Sequence, residues 1–311
     1  MSRNLNSQLK YVINSSYYGD NNINRNGGHG SSKHSDKANG TKNGKIYSFN
    51  QKKNMISVAR EFSNWMKEYH PEIRNVSELN ERYAQEFVAY KSNEVGTTTL
   101  NYYRSSLNSI AESANGTFKS CNINLETKPL EGTSNEKVKI VSFTENDLKI
   151  LKDSYQPEST GLKAIQIIES TGLRVHEVAQ LKNSNIKIEN GIATVHVEQG
   201  KGGRQRDVVV SKQEYVDTLQ HIKDYSNEQI FTTKAHSIDQ NIHRHIEKCD
   251  LSQNYNYNSC HSIRKYYAQE TFNDYRKNGY SIEESAGKTI QNLGHSSSRL
   301  ELTKTYIQNI H

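Results

Sequence analysis

The sequence predicts a mainly α-helical protein with one small antiparallel β-sheet, divided into an N-terminal helical domain and a mixed α+β domain. Three observations carry this expectation. The 311 residues exceed the roughly 150 expected of a single domain. Apolar residues recur at steps of three and four through residues 46–118 and again from about Gln213 onward. Between these stretches, Ile186, Ile188, Ile192, Val195, Val197 and Val208 to Val210 are β-branched and surround the turn signals Asn190-Gly191 and Gly200-Lys201-Gly202-Gly203.

Taken in order, residues 1–45 are rich in Asn, Gly, Ser, Lys and His, and read as a disordered basic tail that cannot offset the entropy of its own ordering. Ser48 with Gln51 forms a helix-start signature, followed by Met55, Val58, Phe62, Trp65, Met66 and Tyr69 at helical spacing until Pro71. Val76, Leu79, Tyr83, Phe87 and Tyr90 form a second stripe, and Leu100, Tyr103, Leu107, Ile110 and Ala114 a third. Residues 46–118 are therefore expected to be a small helical domain whose aromatic residues pack inward. Residues 119–141, with Pro129 and Gly132, read as a linker, and residues 142–311 as the second domain. There Thr144 caps a helix carrying Leu148 and Leu151, and residues 161–182 read as helix, turn and helix around TGLRVHEVAQL.

Composition narrows the function. No apolar run approaches the ~18 residues of a membrane-spanning helix, and no secretory signal opens the chain, so a cytoplasmic protein without a membrane partner is expected. Cys121, Cys249 and Cys260 lack the spacing of a disulfide framework or a zinc site. His243, His245 and Cys249 sit on one expected helix without a second ligand pair, and read as surface or DNA-facing residues rather than metal ligands. The formal charge of +6 is concentrated in the tail, where residues 1–45 hold seven Lys/Arg against two Asp/Glu. Nucleic-acid contact must therefore come from specific motifs rather than bulk charge.

Five motifs supply such a pattern, in chain order: Arg174 with Glu177 in TGLRVHEVAQL, Lys201 in QGKGGRQRDVVV, His261 and Arg264 in HSIRKYY, His295 in LGHSS, and Tyr306. Two arginines present planar forks of N–H donors to non-bridging phosphate oxygens, which carry more charge in a pentacoordinate transition state than in the ground-state diester. A tyrosine hydroxyl is a weak nucleophile near neutral pH and needs a base and a positive site, and His261 is placed to be that base. Lys201 at a hairpin turn reaches a leaving oxygen as general acid, and His295 adds a hydrogen bond to the phosphate. No metal or other cofactor is expected. Glu177 holds local structure near Arg174. Gly200-Lys201-Gly202 lacks the frame of a phosphate-cradling P-loop.

Together these motifs resemble the tyrosine recombinase (phage integrase) family, over residues 46 to 306. The family pattern is an arginine in a TGLR-type turn with an acidic residue three on, a hairpin lysine, H-x-x-R, LGH, and a nucleophilic tyrosine about ten residues later. The resemblance implies a helical, SAM-like core-binding domain at 46–118 and a catalytic domain at 142–311. It implies site-specific DNA recombination, integrating or excising a mobile element, through a covalent 3′-phosphotyrosine. The partners it implies are double-stranded DNA carrying a recombination site, a homotetramer on paired sites, and accessory DNA-bending proteins. A Xer-type dimer resolvase shares the chemistry, a type IB topoisomerase shares the tyrosine without a paired site, and a catalytically silent DNA-binding protein shares the fold. Only five residues follow Tyr306, so exchange of a long C-terminal helix between protomers is not expected.

Overall fold

The computed structural model describes residues 4–18, 44–133, 141–200, 205–255, 259–296 and 299–310. The chain forms two units, Met1–Lys137 and Val138–His311.

The first unit is helical. Its elements are α1 (Leu5–Ser15), α2 (Phe49–Tyr69), α3 (Glu81–Ser92) and α4 (Thr97–Thr117). The expected stripes are its core: Met55, Val58, Phe62 and Met66 of α2, Phe87 of α3 and Leu100, Leu107 and Ile110 of α4 are buried, while Tyr69 and Tyr90 at the stripe ends are exposed. The Ser48 hydroxyl accepts the Gln51 N–H at 3.1 Å and starts α2.

Two expectations about this unit are corrected. Residues 1–45 are not a tail throughout. Leu5, Leu9, Val12 and Ile13 recur at helical spacing, are buried, and pack in one cluster with α2 and α4. Asn4 caps this helix by accepting the Ser7 N–H at 2.9 Å, and Gln8 ties it to the next layer, donating to the Arg74 carbonyl at 2.9 Å and accepting the Val76 N–H at 3.0 Å. The remainder of that segment, residues 19–43, lies outside the described residues. Residues 119–133, read as linker, instead lie along the first unit. Cys121, Ile123, Leu125 and Thr127 are buried on alternate positions of an extended chain, the Ile123 N–H donates to Asn115, and Arg104 donates to Thr127.

The second unit surrounds a central helix, α6 (Thr160–Thr171), reached from α5 (Glu145–Asp153), whose first turn is capped by Thr144 accepting the Asp147 N–H at 3.1 Å. After α6 come a short helix, α7 (Val175–Val178), and three antiparallel strands in the order β1 (Ile186–Glu189), β2 (Ile192–Val197) and β3 (Arg206–Val210). Asn190 and Gly191, both at positive φ (52° and 75°), make the two-residue turn of the first hairpin, pairing Glu189 with Ile192. The second hairpin pairs Val197 with Arg206. Helices α8 (Gln213–Asp224), α9 (Ala235–Lys248), α10 (Ser252–Tyr255), α11 (Ser259–Lys277), α12 (Ile282–Asn292) and α13 (Thr303–Tyr306) follow. Ile165, Ile167 and Ile168 of α6, Val195 and Val208 of the sheet, Leu219 of α8, Ile242 of α9 and Ile263 of α11 share one core. Among the described residues no helix is long and apolar enough to cross a membrane.

Candidate active site

The TGLR turn is built by a helix end. Gly172 closes α6 in the left-handed region (φ 63°), its N–H donating to the Ile168 carbonyl at 2.8 Å, and a Cβ there would stand 2.3 Å from the Tyr267 ring. Two residues on, Arg174 opens α7, where its backbone N–H donates to Glu177 Oε2 at 2.8 Å and its guanidinium to Glu177 Oε1 at 3.2 Å. The LGH turn is its counterpart at the end of α12. Gly294 (φ 77°) follows the helix, and the His295 N–H returns to the Ile290 carbonyl at 3.1 Å.

Arg264, on α11, joins the two turns. Its side chain is 1% exposed and donates to the carbonyls of Gly172 in the TGLR turn and Leu293 in the LGH turn. Burial, then the nearby Arg174 charge, lowers its guanidinium to about 10, while Tyr306 and Glu177 act in the opposite sense, so it stays cationic at neutral pH. Its Cζ lies 5.5 Å from the centroid of the Tyr306 ring. Among the described residues its buried Nε has no hydrogen-bond partner.

Tyr306, at the end of α13, is 6% exposed, and its hydroxyl lies 3.3 Å from His295 Nε2. That same nitrogen is 2.9 Å from an Arg174 terminal nitrogen. A guanidinium has only donors, so His295 Nε2 carries a lone pair in this arrangement and the Tyr306 hydroxyl donates to it. His261 stands beside the pair with its ring centroid 5.5 Å from that of Tyr306. Burial and the charges of Arg264, Lys265 and Arg174 push its imidazole down to about 4, so it is neutral at pH 7. Arg174, Val175, Asp239, Cys260, His261 and Arg264 line a cavity of about 230 Å³. The Cys260 thiol is held protonated by burial and the neighbouring Asp239 carboxylate.

The segment after the tyrosine packs on its own unit. Ile307 is buried with Phe272 and Ile290, and Gln269 on α11 accepts the Gln308 and Asn309 N–H groups at 2.9 and 3.0 Å while donating to the Asn309 carbonyl at 3.0 Å.

Five of the six reactive positions expected from sequence, Arg174, His261, Arg264, His295 and Tyr306, thus meet in one place, with Glu177 behind Arg174. The sixth, Lys201, lies outside the described residues. The residue that motif reading missed is Arg206, which donates from two terminal nitrogens to Glu177 Oε1 and Oε2, each at 2.9 Å. Its signal was the β3 alternation, which sets Arg206 on the inward face with Val208 and Val210, where a cation requires a buried anion. Glu177 is that anion. Burial alone would raise its carboxyl, but the Arg206 hydrogen bonds, the Arg174 N–H and the two guanidinium charges outweigh it and bring the group to about 2.

Of His243, His245 and Cys249, expected at the surface, His245 is half-buried, with its ring stacked on Tyr155 at 3.7 Å and its Nδ1 3.0 Å from the Ser154 hydroxyl. Among the described residues no group of three His, Cys, Asp or Glu side chains is placed to hold a metal ion.

The profile of the phage integrase family matches residues 133–309, more than half of the chain. The chain belongs to the phage integrase family, the tyrosine recombinases. Solved members share the fold at low identity. XerH recombinase in a post-cleavage complex with a palindromic difH substrate superposes with a TM-score of 0.63 at 18% identity, over 98% of this chain and 91% of that one. The lambda integrase tetramer bound to a Holliday junction gives 0.59 at 14% identity, over 96% and 77%. The Tn1549 transposon integrase with circular intermediate DNA gives 0.53 at 13%, over 97% and 95%. No curated protein matches this tyrosine recombinase in sequence.

Proposed function

We propose that this tyrosine recombinase cleaves and rejoins duplex DNA at a specific site, integrating or excising a mobile element, with Tyr306 as nucleophile in its own protomer's site. The observation that carries this reading is the clustering around Tyr306 of His295 at its hydroxyl, Arg174 behind that histidine and Arg264 against its ring, from segments up to 132 residues apart in sequence. The tyrosine oxygen attacks the scissile phosphorus and forms a 3′-phosphotyrosine, and the bond to the 5′-oxygen breaks. The tyrosine proton passes to His295 Nε2, which already accepts its hydrogen bond. Once protonated, the same nitrogen releases the Arg174 N–H, and both then donate to non-bridging oxygens. Arg174 and the unpaired Nε of buried Arg264 supply the remaining charge-assisted donors. Lys201 protonates the leaving 5′-oxygen. His261, neutral and lining the cavity, is the second group able to hold a proton during the reverse step. Rejoining is the same sequence in reverse with a 5′-hydroxyl as nucleophile, so the phosphodiester bond energy stays in the protein–DNA bond.

This reading places four protomers on two paired sites, as the lambda integrase tetramer is placed on a Holliday junction. Nicked duplex fragments from the DNA flanking the gene, incubated with the protein and run on denaturing gels, test it. A covalent adduct is expected, formed in EDTA as well as without it. A specific gel shift with no adduct overturns the enzymatic reading in favour of a DNA-binding protein, and relaxation of plasmids lacking any such site points to a topoisomerase.

A further inference from the structure

Arg206 touches neither the cavity nor the tyrosine, yet three segments meet on its guanidinium. It extends from β3, it grips the fully buried Glu177 carboxylate with both terminal nitrogens, and it lies against Gly294. A Cβ on Gly294 would stand 2.8 Å from the Arg206 Cζ and 2.9 Å from its Nε, so the residue before His295 must be a glycine for this approach. Among the described residues the buried Arg206 Nε has no hydrogen-bond partner, and the anion that its terminal nitrogens hold is Glu177.

The consequence for Arg174 is a competition. A carboxylate prefers a guanidinium fork, two parallel N–H donors to its two oxygens. Arg206 already fills that fork, and Arg174 reaches Glu177 through its backbone N–H and one terminal nitrogen. Its other terminal nitrogen is thereby turned to His295, beside the cavity. We propose that Arg206 is a positioning residue that occupies Glu177 and so keeps Arg174 directed at His295 and the scissile phosphate. Without Arg206, Arg174 collapses onto the freed carboxylate and leaves the reacting centre. The inference rests on the reading of the site given above.

The variants Arg206→Met, Arg206→Lys and the double variant R206M/E177Q separate this role from simple stabilisation. On the nicked duplexes, R206M is expected to keep its DNA affinity within about threefold and to form adduct about a hundredfold more slowly, the scale of an ångström-level misplacement. R206K, with the charge but not the fork, falls between R206M and wild type. In the double variant the amide no longer traps Arg174, so adduct formation recovers toward wild type. A merely structural Arg206 predicts the opposite, a double variant slower than either single one. R206M reacting at the wild-type rate, or the double variant failing to recover, overturns the proposal. If the wild type itself forms no adduct, the reading of the function fails, and a DNA-free measurement still decides the role of Arg206. The ring ¹⁵N resonance of His295 Nε2 in R206M should move to where Arg174→Lys places it, and an unchanged resonance refutes the inference.

Discussion

Replacing Glu177 by Gln removes one negative charge and leaves its shape, and its cost follows from the site. Its carboxyl lies at about 2 in the fold against an ordinary 4.5, because hydrogen bonds from Arg206 and Arg174 and their two charges overcome its burial. At about 1.4 kcal/mol per unit, the folded protein favours the carboxylate by about 3 kcal/mol at neutral pH, and E177Q loses about that much. For a unit of this size that is a fall of about 6–12 °C in melting temperature. The sign with pH is fixed. A carboxyl whose pKa is lower in the fold stabilises above its unfolded value of 4.5, and the stabilisation drains away as pH falls toward 2. Urea unfolding of both proteins at pH 7, 5, 4 and 3 should therefore show a constant gap down to pH 5 and a narrowing one below it. A gap under about 1 kcal/mol at pH 7, or two parallel curves down to pH 3, would refute the reasoning.

Other outcomes follow from the same structure. His261, pushed down to about 4, should show no protonation by NMR titration at pH 6, and a midpoint above 6 contradicts the packing described. Leu9→Ala should destabilise the first unit by about 2–5 kcal/mol in urea, since Leu9 is fully buried, whereas a solvated tail would lose nothing. Gln269→Ala should release the segment after Tyr306, seen as faster amide exchange at Gln308 and Asn309 and a several-fold slower adduct rate with DNA affinity kept, while unchanged exchange would show that the clamp does not hold the segment.

The second unit was legible because its signals are strong and local. The Thr144 cap, the Asn190-Gly191 turn and the β-branched runs each give one structure, and the motifs around Arg174, His261, Arg264, His295 and Tyr306 come together in space. What escaped was carried by weak signals in polar surroundings. Leu5, Leu9, Val12 and Ile13 are four apolar residues in an Asn- and Ser-rich segment, and their helix is stable because α2 and α4 cover it, not through propensity. Cys121, Ile123 and Leu125 alternate next to Pro129 and Gly132, so turn residues masked a period of two. Arg206 was hidden for a different reason. Its importance comes from a partner 29 residues away, and the ordering of charges along a strand states that a buried cation needs an anion without saying which one.

The account stands on Tyr306 as the atom that takes up DNA, and one measurement reaches that atom. Trypsin cuts after Lys304 and releases a peptide beginning at Thr305 in which Tyr306 is the one tyrosine. Adduct trapped on nicked duplex, digested with nuclease and trypsin and read by mass spectrometry, should carry its nucleotide phosphate on that peptide, and Tyr306→Phe should bind the same DNA without forming the adduct. Nucleotide phosphate on any other peptide, or an adduct in the phenylalanine variant, would contradict the assignment of the nucleophile and with it the mechanism built around it.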